Sequence, residues 1–557
     1  MKWLPQSTRA ILALLAWGLT SRAPAQTHEE LLVKHASRAP RFAFGDTLAV
    51  QNAELSDNPL LRRYREARRH QSKDRYRPVY HFSSPLGPLN DPNGLCFWQG
   101  RWHLFYQVRP PEDPRWHWGH AVSDDLIRWR DLPLALYPAP EEQCYSGSIL
   151  IESDRAIAMY HGRTLGNMVA VSRDPLLLNW EKLTGTAVIP IRSAGKDHHF
   201  LSTEALPYRI YDPCIFKSNG VYYSLSGSVD YSGPDRQPVL AEFLFRSRDL
   251  ARWEFVHSFV ENNLFTQIGD DGACPYFWPI GNRYVLLFFS HMTAAQYLIG
   301  DFDAGREKFV PTSHGKFNFG PAKGGGVHAP SAAPDGDGGL VAIFNMNLAV
   351  PSRRNDGIMT LPRKLSLVAH NELGIEPVAA VATLRQENQR VERIRLIANE
   401  TLFLPAITGD VLELSLEIDP GTARSIDIDV LRSPAAEEFT RISLLKDAAI
   451  SSRFMPAQRQ LAMVQLDTSR ASLSSEVVAR VPEVAPVPIA ETEPFRVRVF
   501  IDRSVVEVFV NGRQSVARRV YPTRADSLGI ALRAQGGDAE LRALDAWKMA
   551  SIEFGLE

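Results

Sequence analysis

Asp91 stands in the setting that most invites chemistry. It lies in Leu89-Asn90-Asp91-Pro92-Asn93-Gly94, directly ahead of an aromatic strand pattern that runs from Leu95 to Gln107. Proline at 92 pushes Asp91 toward extended backbone, so no regular helix holds it. Asn93 and Gly94 tolerate positive φ, which lets the chain turn sharply just past the carboxylate. A carboxylate fixed in this way can act as a nucleophile or as an acid–base group. The plain structural alternative is an Asx-turn that opens a strand.

Such a carboxylate needs a fold that brings a second one to it. From 78 to about 385 the sequence repeats loosely. Five short aromatic or β-branched runs begin at Trp102, Ala156, Val221, Tyr284 and Leu340, separated by 54, 65, 63 and 56 residues. A Ser-x-Asp…Trp element follows three of them, at Ser123, Ser172 and Ser247, with a weaker copy at Gly300-Asp301-Phe302-Asp303. Self-similarity of this period, built from short strands and turns, predicts radial sheet repetition. Five units predict a five-bladed β-propeller, which gathers loop carboxylates from different blades around one axis. Beyond about 390 the apolar residues alternate, as in Val497-Arg498-Val499 and Val506-Glu507-Val508, and Asn511-Gly512 suits a two-residue hairpin turn. That texture predicts an antiparallel β-sandwich over 386–557. The overall expectation is an all-β chain, with Leu384 to Val391 as a linker.

The first 25 residues read as a secretory signal peptide, with Lys2 and Arg9, an apolar run from Ala10 to Leu19, and cleavage after Ala23-Pro24-Ala25. The expected mature chain is therefore exported, either secreted or periplasmic. Residues 26–77 read as a partly helical extension whose Arg cluster is a solvated face. Lys+Arg is 62 and Asp+Glu is 63, a balance that argues against nucleic acid or an electrostatic membrane anchor as partner. Cys96, Cys144, Cys214 and Cys274 lack CxxC spacing, so zinc is not expected; their redox state stays open.

The chain resembles glycoside hydrolase family 32, the invertases, inulinases and levanases, over about residues 78 to 550. The resemblance is carried by Asn90-Asp91-Pro92-Asn93-Gly94, Phe105-Tyr106-Gln107, Trp118 to Leu126, Ser146-Gly147-Ser148 and Phe500 to Gly512. It implies the same propeller and sandwich, an oligo- or polysaccharide substrate, no cofactor and no metal. It makes Asp91 the nucleophile of a retaining hydrolysis, with Asn90, Gln107, Trp118 and Ser146 lining the sugar subsite. In the family's Arg-Asp-Pro motif the Asp stabilises the transition state. Here the motif reads Tyr211-Asp212-Pro213, so Asp212 takes that role and Tyr211 stands in place of a forked cation.

The family's proton donor is the Glu of Glu-Cys-Pro, and this chain reads Asp271-Gly272-Ala273-Cys274-Pro275. The methyl of Ala273 cannot donate a proton. In one reading Asp271 replaces the missing acid, with Glu204 and His328 as further candidates. In another the protein is a catalytically impaired furanoside-binding protein, or a hydrolase of a non-fructose furanoside. The oligomeric state is open.

Overall fold

The computed structural model describes residues 26–191, 208, 210–231, 233–322, 324–369, 371–446, 460–478, 481–490 and 492–552. The expected signal peptide and Glu204 lie outside them. No helix of the described residues is long and apolar enough to cross a membrane.

Three helices lead in: α1 (His28–Lys34), α2 (Leu48–Ser56) and α3 (Pro59–Gln71). Asn58 caps α3 by accepting from the N–H groups of Leu60 and Leu61, and Pro59 opens its first turn. Its buried face is Leu60, Leu61 and Tyr64. Within the Arg cluster, Arg68 is not simply solvated. Its guanidinium grips the Asp131 carboxylate through two nitrogens, at 2.5 and 2.7 Å, and so ties α3 to the strand Trp129–Leu136.

Among the described residues after α3, strands dominate, with two short 3-10 turns at Pro234–Arg236 and Ala379–Leu384. Five antiparallel meanders follow in chain order, and their innermost strands are Leu89–Trp98, Cys144–Ile151, Tyr211–Ser218, Ala273–Ile280 and Val327–Pro334. Each inner strand packs on the next, and the last packs on the first, so the five close into a ring. The five repeated runs all became second strands: Arg101–Val108, Ala156–Gly162, Val221–Gly227, Arg283–Ser290 and Leu340–Met346. The Ser-x-Asp elements are the turns between third and fourth strands. Asp125 there accepts from the N–H groups of Ile127 and Arg128, and Asp249 from those of Ala251 and Arg252. These are Asx-turns, which explains why Asp recurs at that place.

The remaining chain forms a seven-stranded and a six-stranded antiparallel sheet around one apolar core, to which Leu412, Leu414, Val497 and Val499 contribute from one sheet and Ile426, Ile428, Ile442 and Val464 from the other. Two local expectations are corrected. Arg385–Val391 is a strand paired with Ala539–Met549, not a linker, because its backbone completes the edge of the seven-stranded sheet. The hairpin at Asn511-Gly512 has a three-residue loop, since Val510 pairs with Gln514; Asn511 and Gly512 take φ of 51° and 64°.

The two halves meet through a buried ionic cluster. The Asp502 carboxylate accepts from the N–H groups of Val79, Tyr80 and His81, at 2.6, 2.8 and 3.0 Å, and lies 2.8 Å from His81 Nδ1. Glu507 faces His81 Nε2 at 3.1 Å and accepts from Arg363 at 2.8 Å and from the Leu361 N–H at 2.7 Å. The Phe500-to-Gly512 motif is therefore, in part, a clamp on the ring of meanders.

Candidate active site

Each of the five inner strands breaks register with its partner near its start. The breaks fall between Leu89 and Pro92, Cys144 and Gly147, Tyr211 and Pro213, Ala273 and Tyr276, and Val327 and Pro330. An irregular residue in a ladder re-aims its side chain and bends the strand. The residues inside these breaks include Asp91, Ser146, Asp212, Cys274 and His328, one from each meander. Asp212 and Cys274 hold φ of 38° and 50°, and each is followed by a proline that lacks the N–H a continuous ladder would require. Asp-Pro and Cys-Pro thus mark the places where regular pairing gives way to a converging set of side chains.

Asn90, Asp91, Gln107, Ser146, Tyr211 and Asp212 come together at one cavity of about 140 Å³. That volume suits one monosaccharide unit rather than the ~300–1,000 Å³ of a drug-sized ligand site. Two larger cavities, of about 370 and 480 Å³, border the N-terminal segment and contain none of these residues.

Asp91 Oδ2 accepts from the Ser146 hydroxyl at 2.8 Å and from Gln107 Nε2 at 3.4 Å. Gln107 also donates to Ser146 at 2.6 Å and accepts from Asn90 at 3.0 Å. Asn345 closes the set, donating to Asn90 at 3.2 Å and to Asp91 Oδ1 at 3.4 Å. The Cys274 thiol lies 3.5 Å from Asp212 Oδ2 and 3.8 Å from Asp91 Oδ2, so one side chain touches both carboxylates.

The two carboxyls are driven apart in acidity. Burial alone would raise Asp91, but His328 at 3.7 Å, the Ser146 hydroxyl and the charge on His291 hold it below its ordinary value. Burial, and then the negative charge of Asp91, push Asp212 up to about 7 against the pull of His291 and the Cys274 thiol. Near neutrality the site offers one ionised carboxylate and one that exchanges its proton readily. Opposed shifts of this kind separate a nucleophile from its partner. Burial and the two carboxylates also raise the Cys274 thiol well above its usual range, so it serves as a neutral donor and not as a thiolate.

The Asp212 shift has a measurable consequence for stability. Its folded-state value of about 7 lies above the unfolded 3.8, so the contribution is fully present below 3.8 and is lost as pH rises through 7. Asp212→Asn removes that loss, and Asn accepts positive φ readily. The variant should exceed the wild type by about 1–3 kcal/mol at pH 8, less than the whole shift implies because the carboxyl borders an open cavity, with the gap closing toward pH 4. Denaturant midpoints at both pH values check this; a gap independent of pH would show that Asp212 ionises normally.

Trp118, expected in the sugar subsite, is corrected. It is fully buried against Phe105 and Tyr160, and its indole donates to the Tyr145 carbonyl at 2.8 Å. It holds the turn that presents Ser146, and the indole that lines the cavity is Trp116. Tyr211 lines the cavity, yet its hydroxyl donates to the backbone carbonyl of Asp271. Asp271 is buried and does not itself line the cavity. Its carboxylate accepts from the His291 N–H at 3.1 Å and lies 2.5 Å from His291 Nδ1. Ala273 is fully buried beside Tyr211, Phe289 and Ala329. The four cysteines are buried free thiols.

Sequence reasoning missed His291 and Asn345. Counting back across the Gly281-Asn282 turn sets Ser290 opposite Ala273; the register break between Ala273 and Tyr276 moves the pairing by one residue to Phe289, so the sequence alone does not place His291. Nothing in the sequence singles out Asn345.

Comparison with known proteins gives a consistent picture. The model described as glycosyl hydrolases family 32 N-terminal domain matches residues 81–377, and the glycosyl hydrolases family 32 C terminal model matches 380–548. The chain is similar to a sucrose-6-phosphate hydrolase of Zymomonas mobilis, 28% identical over 85% of this chain and 92% of the relative. It is also similar to a levanase of Bacillus subtilis, 26% identical over 84% of this chain and 70% of the relative. Among solved structures, fructan 1-exohydrolase IIa from Cichorium intybus superposes with a TM-score of 0.71 at 21% identity, covering 86% of this chain and 98% of that one.

Proposed function

This chain belongs to glycosyl hydrolase family 32, and on that premise we propose that it is an exported β-fructosidase that hydrolyses sucrose-, inulin- or levan-type fructosides with retention. The ring of five meanders is read as a five-bladed β-propeller over 78–385 and the two following sheets as a β-sandwich over 386–557. The observation that carries the reading is the Asp91–Asp212 pair, one ionised and one readily protonated, joined through Cys274 where the inner strands converge.

Cleaving a furanoside passes through an oxocarbenium-like state. Asp91 attacks the anomeric carbon as the bond to the leaving oxygen breaks, giving a covalent fructosyl-enzyme that water then hydrolyses. Ser146, Gln107 and Asn345 fix the Asp91 carboxylate, so little reorganisation is left for the reaction itself. Asp212 holds sugar hydroxyls beside the developing positive charge.

A second reading has one observation in its favour. Tyr211 commits its hydroxyl proton to the Asp271 carbonyl and offers the sugar a ring where a guanidinium fork is the family pattern, which suits a furanoside other than fructose. Hydrolysis of sucrose, inulin, levan and activated aryl furanosides of fructose and arabinose by the purified mature chain decides between them. Cleavage of a fructoside is expected; cleavage of the arabinoside alone would establish the second reading, and binding with no cleavage of any would overturn both.

A further inference from the structure

Resting on the hydrolase reading above, we propose that His291, positioned by Asp271, is the group that protonates the leaving oxygen, in the role that Ala273 cannot fill. The hairpin geometry places it there. Ala273 pairs with Phe289 near the end of the strand Arg283–Ser290, and His291 is the first residue of the turn beyond it, with its ring beside that of Phe289. Both line the cavity, with ring centroids 4.8 Å apart. The His291 side chain is 56% exposed, unlike the buried carboxyls behind it, and can meet a leaving group at the cavity mouth.

Asp271 holds this residue at two points, the backbone N–H at 3.1 Å and Nδ1 at 2.5 Å. With Nδ1 engaged, Nε2 is the nitrogen that carries the transferable proton. Asp271 is held in turn through its carbonyl by the Tyr211 hydroxyl. Tyr211, which stands where the family pattern has an arginine, is thereby linked to the group proposed in place of the missing glutamate through one chain of contacts, Tyr211–Asp271–His291. It replaces an arginine and a glutamate together.

The other acids are placed less well. Asp271 is buried, with its carboxylate engaged. Glu242 is fully buried beneath Gly272, where any Cβ would collide with its carboxyl, and its oxygens find no hydrogen-bond partner among the described residues. His328 stands against Phe289 and beside Asp91, on the nucleophile's side.

The charges around His291 suit an acid. Asp271 meets it from the inner strand's entry, and the charges of Asp212 and Asp91, which line the same cavity, act on it as well. His328 lies beyond Phe289, and burial and the charges of Asp271 and Asp212 push Glu242 well above the usual carboxyl range. Burial would lower the imidazole, but the three carboxylates raise it above its ordinary 6.5. In the first half-reaction Asp91 bonds to the anomeric carbon, the bond to the leaving oxygen breaks, and that oxygen takes the Nε2 proton. In the second, neutral His291 accepts a proton from water as the water oxygen bonds to the same carbon and the bond to Asp91 breaks.

The test compares wild type, His291→Gln and Asp271→Asn on sucrose, inulin and a nitrophenyl fructofuranoside, whose leaving group needs no proton. His291→Gln should lower kcat/KM on sucrose and inulin by about 10²–10⁴-fold. The first-turnover burst of nitrophenolate and the affinity for fructose should both persist. Asp271→Asn should shift the alkaline limb of the kcat/KM profile to lower pH, because the imidazolium loses its carboxylate; this readout carries the test should His291→Gln fail to fold. Wild-type sucrose rates in His291→Gln, equal losses on all three substrates, or an alkaline limb unmoved in Asp271→Asn would each overturn the assignment and leave the hydrolase reading standing. A wild type that cleaves none of the three would overturn the hydrolase reading, and the assignment with it.

Discussion

Asp91→Asn should lower hydrolysis of sucrose and of an activated aryl fructoside alike, by about 10⁴-fold or more, the scale on which removal of a nucleophile acts. The loss is indifferent to the leaving group because the missing step is bond formation at the anomeric carbon. Asn retains the volume and, with its single carbonyl oxygen toward Ser146 and Gln107, gives up only the Asn345 contact, so sugar affinity should change far less than the rate. A second effect follows from the charge removed. Asp91 is the largest electrostatic cause, after burial, of the Asp212 value near 7, so Asp212 in the variant should titrate closer to an ordinary carboxyl. Steady-state rates on both substrates and the pH dependence of fructose binding read these effects. Substantial residual turnover of the aryl fructoside would remove Asp91 from the nucleophile's role.

Asp502→Asn should cost about 3–5 kcal/mol of stability, the penalty for breaking a buried ion pair and leaving the rest of its network uncompensated. Three backbone N–H groups and His81 converge on this carboxylate, at the junction of the two halves of the chain. Burial alone would lower His81, but hydrogen bonds to Asp502 and Glu507 and their charges carry it up to about 9. A raised folded-state value contributes stability that is fully present below the unfolded 6.5 and is lost as pH rises through 9. Wild-type denaturant midpoints should therefore decline between pH 6.5 and 9, and the variant should be less stable and flatter over that window. A variant as stable as wild type would refute the clamp.

The role of the C-terminal half follows from the same contacts. It holds the strand entry at Val79 to His81, about ten residues ahead of Asp91, and the Leu361–Arg363 segment of the last meander. Loss of the clamp should therefore loosen the closure of the ring and act on the site at a distance.

Several of these features were legible in the chain itself. The period of the aromatic runs fixed five repeating units, because each meander has one largely buried second strand. Alternation of apolar residues with Arg from 495 to 499 fixed a strand with one buried face, because successive side chains point to opposite faces. The Asn-Asp-Pro and Tyr-Asp-Pro triplets fixed where carboxylates leave the ladder, because proline cannot complete it. Asp91 was singled out that way, and Asp212 by resemblance. What local patterning could not reveal was which side chains meet. Trp118 and Trp116 look alike in the sequence, yet one is packed behind the site and the other faces the cavity. Asp271 carried no mark of its bond to His291, nor Tyr211 of its bond to Asp271. Motif and period follow from local backbone preference, which neighbouring residues set. The pairing of Asp271 with His291, the thiol shared by Asp91 and Asp212, and the grip of Asp502 on His81 join residues that are 20, up to 183 and 421 positions apart. Pairing of two strands within one meander brings the first of these together, and only closure of the ring and docking of the second half bring the other two within hydrogen-bond reach.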